Sequence, residues 1–168
     1  PIYLMVGLLM YHYMSQLVGS SIGIITSNAN FIKSIRIDPE TLVISRIIQS
    51  VFSHIFEIFL LVGLLLYFQV SLLGFIPYLL VFLLFTIFIL GLCFLGASLG
   101  VHINDLGNIW AVASSLLFFL TPVFHAPVSG TLLYQINLWN PLYYFIEAGR
   151  EMFVLGSFPS FSSWSILV

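Results

Sequence analysis

Apolar residues run along this chain in long blocks, and polar residues gather in the gaps between them. The first block spans Ile2 to about Ile25, the second about Ile47 to Phe68, and the third Leu72 to Leu99. A fourth, Ile109 to Phe124, is shorter, and a fifth begins near Phe161. A helix rises about 1.5 Å per residue, so about 20 apolar residues cross a hydrocarbon core of about 30 Å. The first three blocks reach that length and predict membrane-spanning helices. The third is longer than a crossing needs and carries Pro77 near its start, so it tilts or yields its first residues to a loop. The fourth falls short and ends at Thr121-Pro122, where proline disturbs a helix. A short helix entering a broken, partly buried region suits a transport path better than a lipid-facing anchor. The expected fold is all-α: a polytopic transmembrane helix bundle in a single domain, with a short re-entrant or broken helix and gate helices at the outer face.

The polar positions add detail. Arg46, Gln49, Ser50, Ser53, His54 and Glu57 recur at spacings of three and four, which puts them on one face of the second helix. A carboxylate such as Glu57 costs about 2.5–3.5 kcal/mol at mid-membrane on insertion scales. It therefore needs a partner, a water-filled path or an interfacial depth, and His54 is a candidate partner. Between the first two blocks, Asp38-Pro39-Glu40 reads as a helix start, with Asp38 as cap, Pro39 in the first turn and Glu40 facing the positive helix end. The preceding Phe31–Ile37 stretch either lies along a membrane surface or docks in a partner's groove; the alternative is a simple polar turn. Residues 125–160 are aromatic for a connection, with Tyr134, Trp139, Tyr143, Tyr144, Phe145 and Phe153. Within them Leu142–Leu155 has helical character, with Asn140 as cap, Pro141 at the first position and Gly156 closing it. Glu147 and Arg150 sit three apart and can pair on that helix. Such a segment lies on or dips into the outer leaflet as an interfacial helix with an aromatic belt. Gly96 and Gly100, with Gly91 and Ala97 nearby, allow a neighbouring helix close approach.

Composition and charge settle the class. Of 168 residues, 61% are hydrophobic and 6% charged, against about 25% charged in a soluble domain. The first connection holds Lys33, Arg36 and Arg46, the next two hold no basic residue, and the fourth holds Arg150. The positive-inside rule then puts Ser27–Arg46 and Gly100–Asn108 in the cytoplasm and His125–Ser160 outside, in a cytoplasmic membrane. The chain opens at Pro1 directly into one apolar block and stops inside another at Val168, so a preceding segment and a tail are expected. Net charge of -2 without a basic stripe gives no footprint for nucleic acid. Cys93 is the single cysteine and is expected to pack. No phosphate-binding G-x-x-x-x-G-K-[ST] loop and no G-x-S-x-G elbow occur, and His12, His54, His102 and His125 lack ligand spacing. No catalytic residue, metal site or cofactor is therefore expected in this chain.

Four segments in order carry a resemblance. Ser27-Asn28-Ala29-Asn30-Phe31-Ile32-Lys33, Asn104-Asp105-Leu106, Thr121-Pro122-Val123-Phe124, and Trp139-Asn140-Pro141-Leu142 followed by Ile146-Glu147 and Arg150 resemble motifs of the permease subunit of type-2 ABC exporters. The similarity is strongest to those exporting O-antigen, capsular polysaccharide and teichoic-acid-type polymers. Asn104 stands where that family usually has arginine. The resemblance implies two permease copies pairing with two separate ATP-binding subunits, which hold the ATP and magnesium. It makes residues 28–40 the contact through which ATP-driven closure is transmitted, with Asn28, Asn30, Lys33, Arg36, Asp38, Glu40, Asn104 and Asp105 as coupling residues. It makes residues 125–160 an extracytoplasmic gate, with Glu57, Pro122, Phe124, Trp139, Asn140, Pro141, Tyr143, Tyr144, Glu147 and Arg150 as pore or gate residues. The substrate implied is a glycan or lipid-linked glycan. An exporter of drugs or small lipids and a non-transporting assembly subunit remain open beside it.

Overall fold

The computed structural model describes residues 2–70, 72–123 and 130–154. They form helices α1 (Ile2–Ile22), α2 (Ile24–Ser27), α3 (Ala29–Ile35), α4 (Pro39–Tyr67), α5 (Phe75–His102), α6 (Leu106–Leu120), α7 (Leu132–Asn137) and α8 (Pro141–Val154). No strand occurs among the described residues. α1, α4 and the stretch Leu72–His102 are long and apolar enough to cross a membrane, so the described residues form an all-helical bundle with three candidate membrane spans.

α1 is the hub. Its membrane-length window is 44% buried, against 17% for α4 and 33% for α5, because α4, α5, α6 and α8 all pack on it. Val6, Met10, Met14 and Leu17 are each at most 1% exposed. The close approach of α5 to α1 follows from its glycines: a Cβ on Gly100 would collide with the Ile22 carbonyl, and one on Gly96 would press on the Ile22 side chain. Gly91 has open space where its Cβ would be, so it takes no part in that contact, contrary to the sequence reading. Cys93 is buried among the core residues.

Boundaries differ from the hydropathy blocks for local reasons. The first block is broken at Gly23, between α1 and α2. α4 starts at Pro39, well before Ile47, and its 29 residues extend about 43 Å. Its polar opening turns therefore join the same helix as the apolar block. Asp38 occupies the N-cap position with Pro39 following, but its side chain makes no capping bond; only its backbone carbonyl does, accepting from the Thr41 N–H at 3.0 Å. α4 closes in a Schellman motif: Gln69 takes φ 56, and the Gln69 and Val70 N–H groups donate to Leu66 and Leu65 carbonyls at 3.2 and 2.9 Å. Leu72–Gly74 forms a 3-10 turn, which leaves Pro77 in the first turn of α5, where no N–H is needed. Pro77 thus starts this helix and does not break it.

α6 has 15 residues, about 22 Å, and stops before Thr121-Pro122 as the sequence suggests. α8 then packs on both α1 and α5. Phe145 meets Phe85 and Phe88, while Phe153 meets Tyr78 and the Met152 backbone abuts Gly74, so α8 runs antiparallel to the first half of α5. It is a buried member of the bundle and more than a surface helix: Leu142, Phe145, Ile146, Ala148, Met152 and Phe153 are all buried.

Candidate functional site

Sequence-predicted site residues gather at two ends of the bundle. At one end, the exit of α6 meets the start of α8. Asn140 caps α8, its Oδ1 accepting from the Leu142 N–H at 3.1 Å, while its Nδ2 donates to Thr121 Oγ1 at 3.0 Å. Asn137 donates to the Leu120 carbonyl at 2.9 Å. Arg150 completes the closure from the far side of α8. It is 1% exposed, and its guanidinium donates to the carbonyls of Pro122 (2.9 Å), Val123 and Tyr3 (3.1 Å). It also lies 3.4 Å from Glu147 Oε2 and 3.9 Å from the Tyr3 ring centroid. The carbonyls freed where α6 ends are thus satisfied by Asn137 and Arg150, while Asn140 holds the Thr121 hydroxyl. A Cβ on Gly7 would strike the Arg150 guanidinium, so glycine on α1 makes the room for it.

Arg150 is consequently held inside the bundle, while Glu147, 29% exposed at its side chain, reaches its edge. Tyr143 is half-buried, and its hydroxyl is pushed up to about 12, first by burial and next by the neighbouring Glu147 charge. Tyr144 donates to the Leu138 carbonyl at 2.8 Å, and Pro141 opens α8. Trp139 is 91% exposed at the turn between α7 and α8. Glu57 is elsewhere, on α4, with its Oε2 2.7 Å from His54 Nδ1, as the spacing suggested. Phe124 and Gly156 lie outside the described residues, as does the block from Phe161.

At the other end, Ile22 touching Gly100 brings the α1–α4 connection beside the α5–α6 turn. Residues 29–35 are helical, so the plain polar turn is excluded, and α3 has no buried residue. Asn30, Lys33, Arg36, Asp38 and Glu40 are exposed, as are Asn104 and Asp105. Asn28 links α2 to α3, donating to the Ile24 carbonyl at 2.8 Å. Arg36 ends α3 in the left-handed conformation at φ 57, a geometry that costs a non-glycine residue about 1–2 kcal/mol. Asp105 Oδ1 accepts from Asn108 at 3.4 Å. An open groove of about 460 Å³ joins the two connections, lined by Pro39, Glu40 and Val43 of α4 and by Ser98, Val101 and His102 of α5 among others.

Between these ends lies a surface that the apolar-block reading missed. α1 carries His12, Ser15, Gln16 and Ser20 on the side not covered by α5 and α8. On one flank, Arg46 Nε donates to Ser20 Oγ at 3.0 Å and Arg46 Nη1 to Gln49 at 2.8 Å, so the polar edge of α4 faces α1. On the other flank, Tyr11 donates to the Ser114 carbonyl and Trp110 to the Ser15 carbonyl, the latter at 3.1 Å, which docks α6. A cavity of about 390 Å³ opens there, lined by Leu8, Tyr11, His12, Ser15, Ser114, Ser115, Phe118 and Phe119. The signal was present in the sequence: positions 12, 16 and 20 repeat every fourth residue inside a block that reads as uniformly apolar.

The described residues contain no group of three or more His, Cys, Asp or Glu side chains able to hold a metal. No protein-family model matches the chain, and no curated protein matches it.

Proposed function

We propose that this chain is the permease subunit of an ATP-driven exporter, moving polysaccharide or lipid-linked glycan outward across a cytoplasmic membrane. Two copies would enclose the path, and a separate ATP-binding subunit would supply the energy. One observation carries the reading: an imidazole and an amide, His12 and Gln16, are exposed on α1, a helix of membrane-crossing length, with half-buried Ser15 beside them and exposed Ser115 on the neighbouring α6. Lipid offers the His12 imidazole and the Gln16 amide no hydrogen bonds, at a cost of several kcal/mol each. Water, a second copy or a polar substrate removes that cost. The cavity beside them sets His12, Ser15 and Ser115 among Tyr11, Phe118 and Phe119, and neutral hydroxyl-rich rings fit that mixture better than ions do.

Two further features agree with it. The short α6, followed by α7 and α8, serves as a re-entrant arm whose end is the extracytoplasmic gate. The exposed α3, together with Glu40, Asn104 and Asp105, serves as the cytoplasmic coupling surface. The ordered motif resemblance supplies the substrate class.

The test is export with the cognate ATP-binding subunit co-expressed. Gln16→Leu and His12→Leu should lower surface glycan severalfold while the two subunits still co-purify, and a cysteine at Gln16 should react with a water-soluble thiol reagent. Normal export together with an unreactive Cys at that position rejects the path. Retained resistance to a lipophilic drug, lost in the variants, would move the assignment to a drug exporter.

A further inference from the structure

The His54 cluster is not used by the function above. His54 is 1% exposed in the middle of α4, and both of its ring nitrogens have partners. Nδ1 is 2.7 Å from Glu57 Oε2, and Nε2 is 3.4 Å from the Tyr78 hydroxyl on α5. The ring is held flat on Phe82 at 4.3 Å and 9°, with Tyr13 of α1 at 5.0 Å. Glu57 is different from its partner: its side chain is 30% exposed, while the imidazole is enclosed. The carboxylate thus sits at the edge of the bundle and the imidazole inside it.

The geometry points to a proton-binding site in the bundle interior, formed by His54, Glu57 and Tyr78, whose occupancy is read by α8. With the carboxylate ionised and the imidazole neutral, Nδ1–H donates to Glu57 and Nε2 accepts from the Tyr78 O–H. Uptake of one proton at Nε2 leaves an imidazolium donating to both partners, so Tyr78 must turn from donor to acceptor. Nothing else is consumed or released. Only imidazole switches one nitrogen from acceptor to donor in this way near neutral pH. Tyr78 is fully buried and lies against Phe153, with ring centroids 5.1 Å apart, so the reversal occurs at the contact between α5 and α8.

The titratable groups facing the imidazole are Glu57 on its own helix, Tyr78 on α5 and Tyr13 on α1. Tyr13 is 3.4 Å from Thr86 Oγ1 through its hydroxyl. From α8 the cluster meets the Phe153 ring; the charges of that helix are Glu147 and Arg150, paired beside Tyr3, and the partly exposed Glu151. This inference stands whether or not the chain exports anything.

Histidine ¹⁵N NMR on the full chain in lipid nanodiscs tests it directly. The His54 signal, identified by its loss in His54→Gln, should show an Nδ1–H tautomer that becomes doubly protonated as the pH is lowered. If that variant does not fold, replacing His12, His102 and His125 isolates the same signal. Glu57→Gln should lower proton affinity about tenfold or more, as expected for a contacting carboxylate. Amide exchange across residues 150–154, corrected for intrinsic pH dependence, should change severalfold across the same titration and lose that change in Tyr78→Phe. A His54 that stays neutral throughout, starts as the Nε2–H tautomer, or titrates identically in Glu57→Gln overturns the site. Exchange that ignores the titration overturns the link to α8.

Discussion

The two ends of the bundle handle polar groups in opposite ways. Where α6 meets α8, Arg150, Asn137 and Asn140 are turned inward and spend their donors on carbonyls and on Thr121. At the α3 end, Asn30, Lys33, Arg36 and Asp38 are all exposed, and α3 buries no residue. Among the described residues no buried side-chain polar atom lacks a partner. The first end is thus closed by its own chemistry, and the second is a surface whose residues gain little from the fold itself.

Breaking the closed end should have the largest effect. Arg150→Leu removes every guanidinium bond at once, those to the Tyr3, Pro122 and Val123 carbonyls, and takes this donor from the two buried acceptors, Pro122 and Val123. A loss of about 3–5 kcal/mol is expected, as for removing one member of a buried charged network, and thermal unfolding in detergent reads it. Arg150→Lys should recover only part, because an ammonium has no planar fork. An unchanged unfolding temperature in Arg150→Leu would show that the closure carries no stability.

Gly100→Val sharpens the comparison from the other side. Its side chain would meet the Ile22 carbonyl, which is backbone and cannot swing away. A cost of about 1–3 kcal/mol is expected. Gly91→Val, on the same helix but facing open space, should be nearly neutral. Equal effects would remove α1–α5 contact as the reason for the glycine. Asn140→Ala follows with about 1 kcal/mol, the usual worth of an N-cap, together with its lost bond to Thr121.

Much of this was legible before any geometry. Block lengths gave the spans, Thr121-Pro122 gave the end of α6, and Asn140-Pro141 gave the start of α8. Those signals are local, carried by side-chain hydropathy, proline's missing N–H and a capping amide. What sequence hid is long-range. Arg150 read as a surface partner of Glu147 because i,i+3 spacing reveals only contacts within one helix; its carbonyl acceptors on Tyr3, Pro122 and Val123 are brought in by folding. The burial of α8 was hidden for the same reason, since its aromatic residues suit an interface and a core equally. The polar side of α1 was overlooked because averaging over a block erases three residues spaced by a turn. Asp38 shows the converse: a residue type favoured at a helix start occupies the position while leaving the bond to its backbone.

The smallest effect on folding belongs to the exposed end, and there a contrast in readouts is decisive. Lys33→Glu together with Arg36→Glu should leave the unfolding temperature of the isolated chain almost unchanged, within about 0.5 kcal/mol, as for surface sites without partners. Neither residue is buried, and α3 contributes nothing to the core. If α3 is the proposed docking surface, the same double variant should lose co-purification with the proposed ATP-binding subunit, since reversing two charges on such a surface costs about several kcal/mol through like-charge contact. A stability loss of the Arg150→Leu size would mean that α3 holds this fold together after all. Unchanged stability with intact co-purification and normal ATP turnover would place the coupling contact away from α3. Only lost docking with retained stability fits an end left unfinished for a partner to complete.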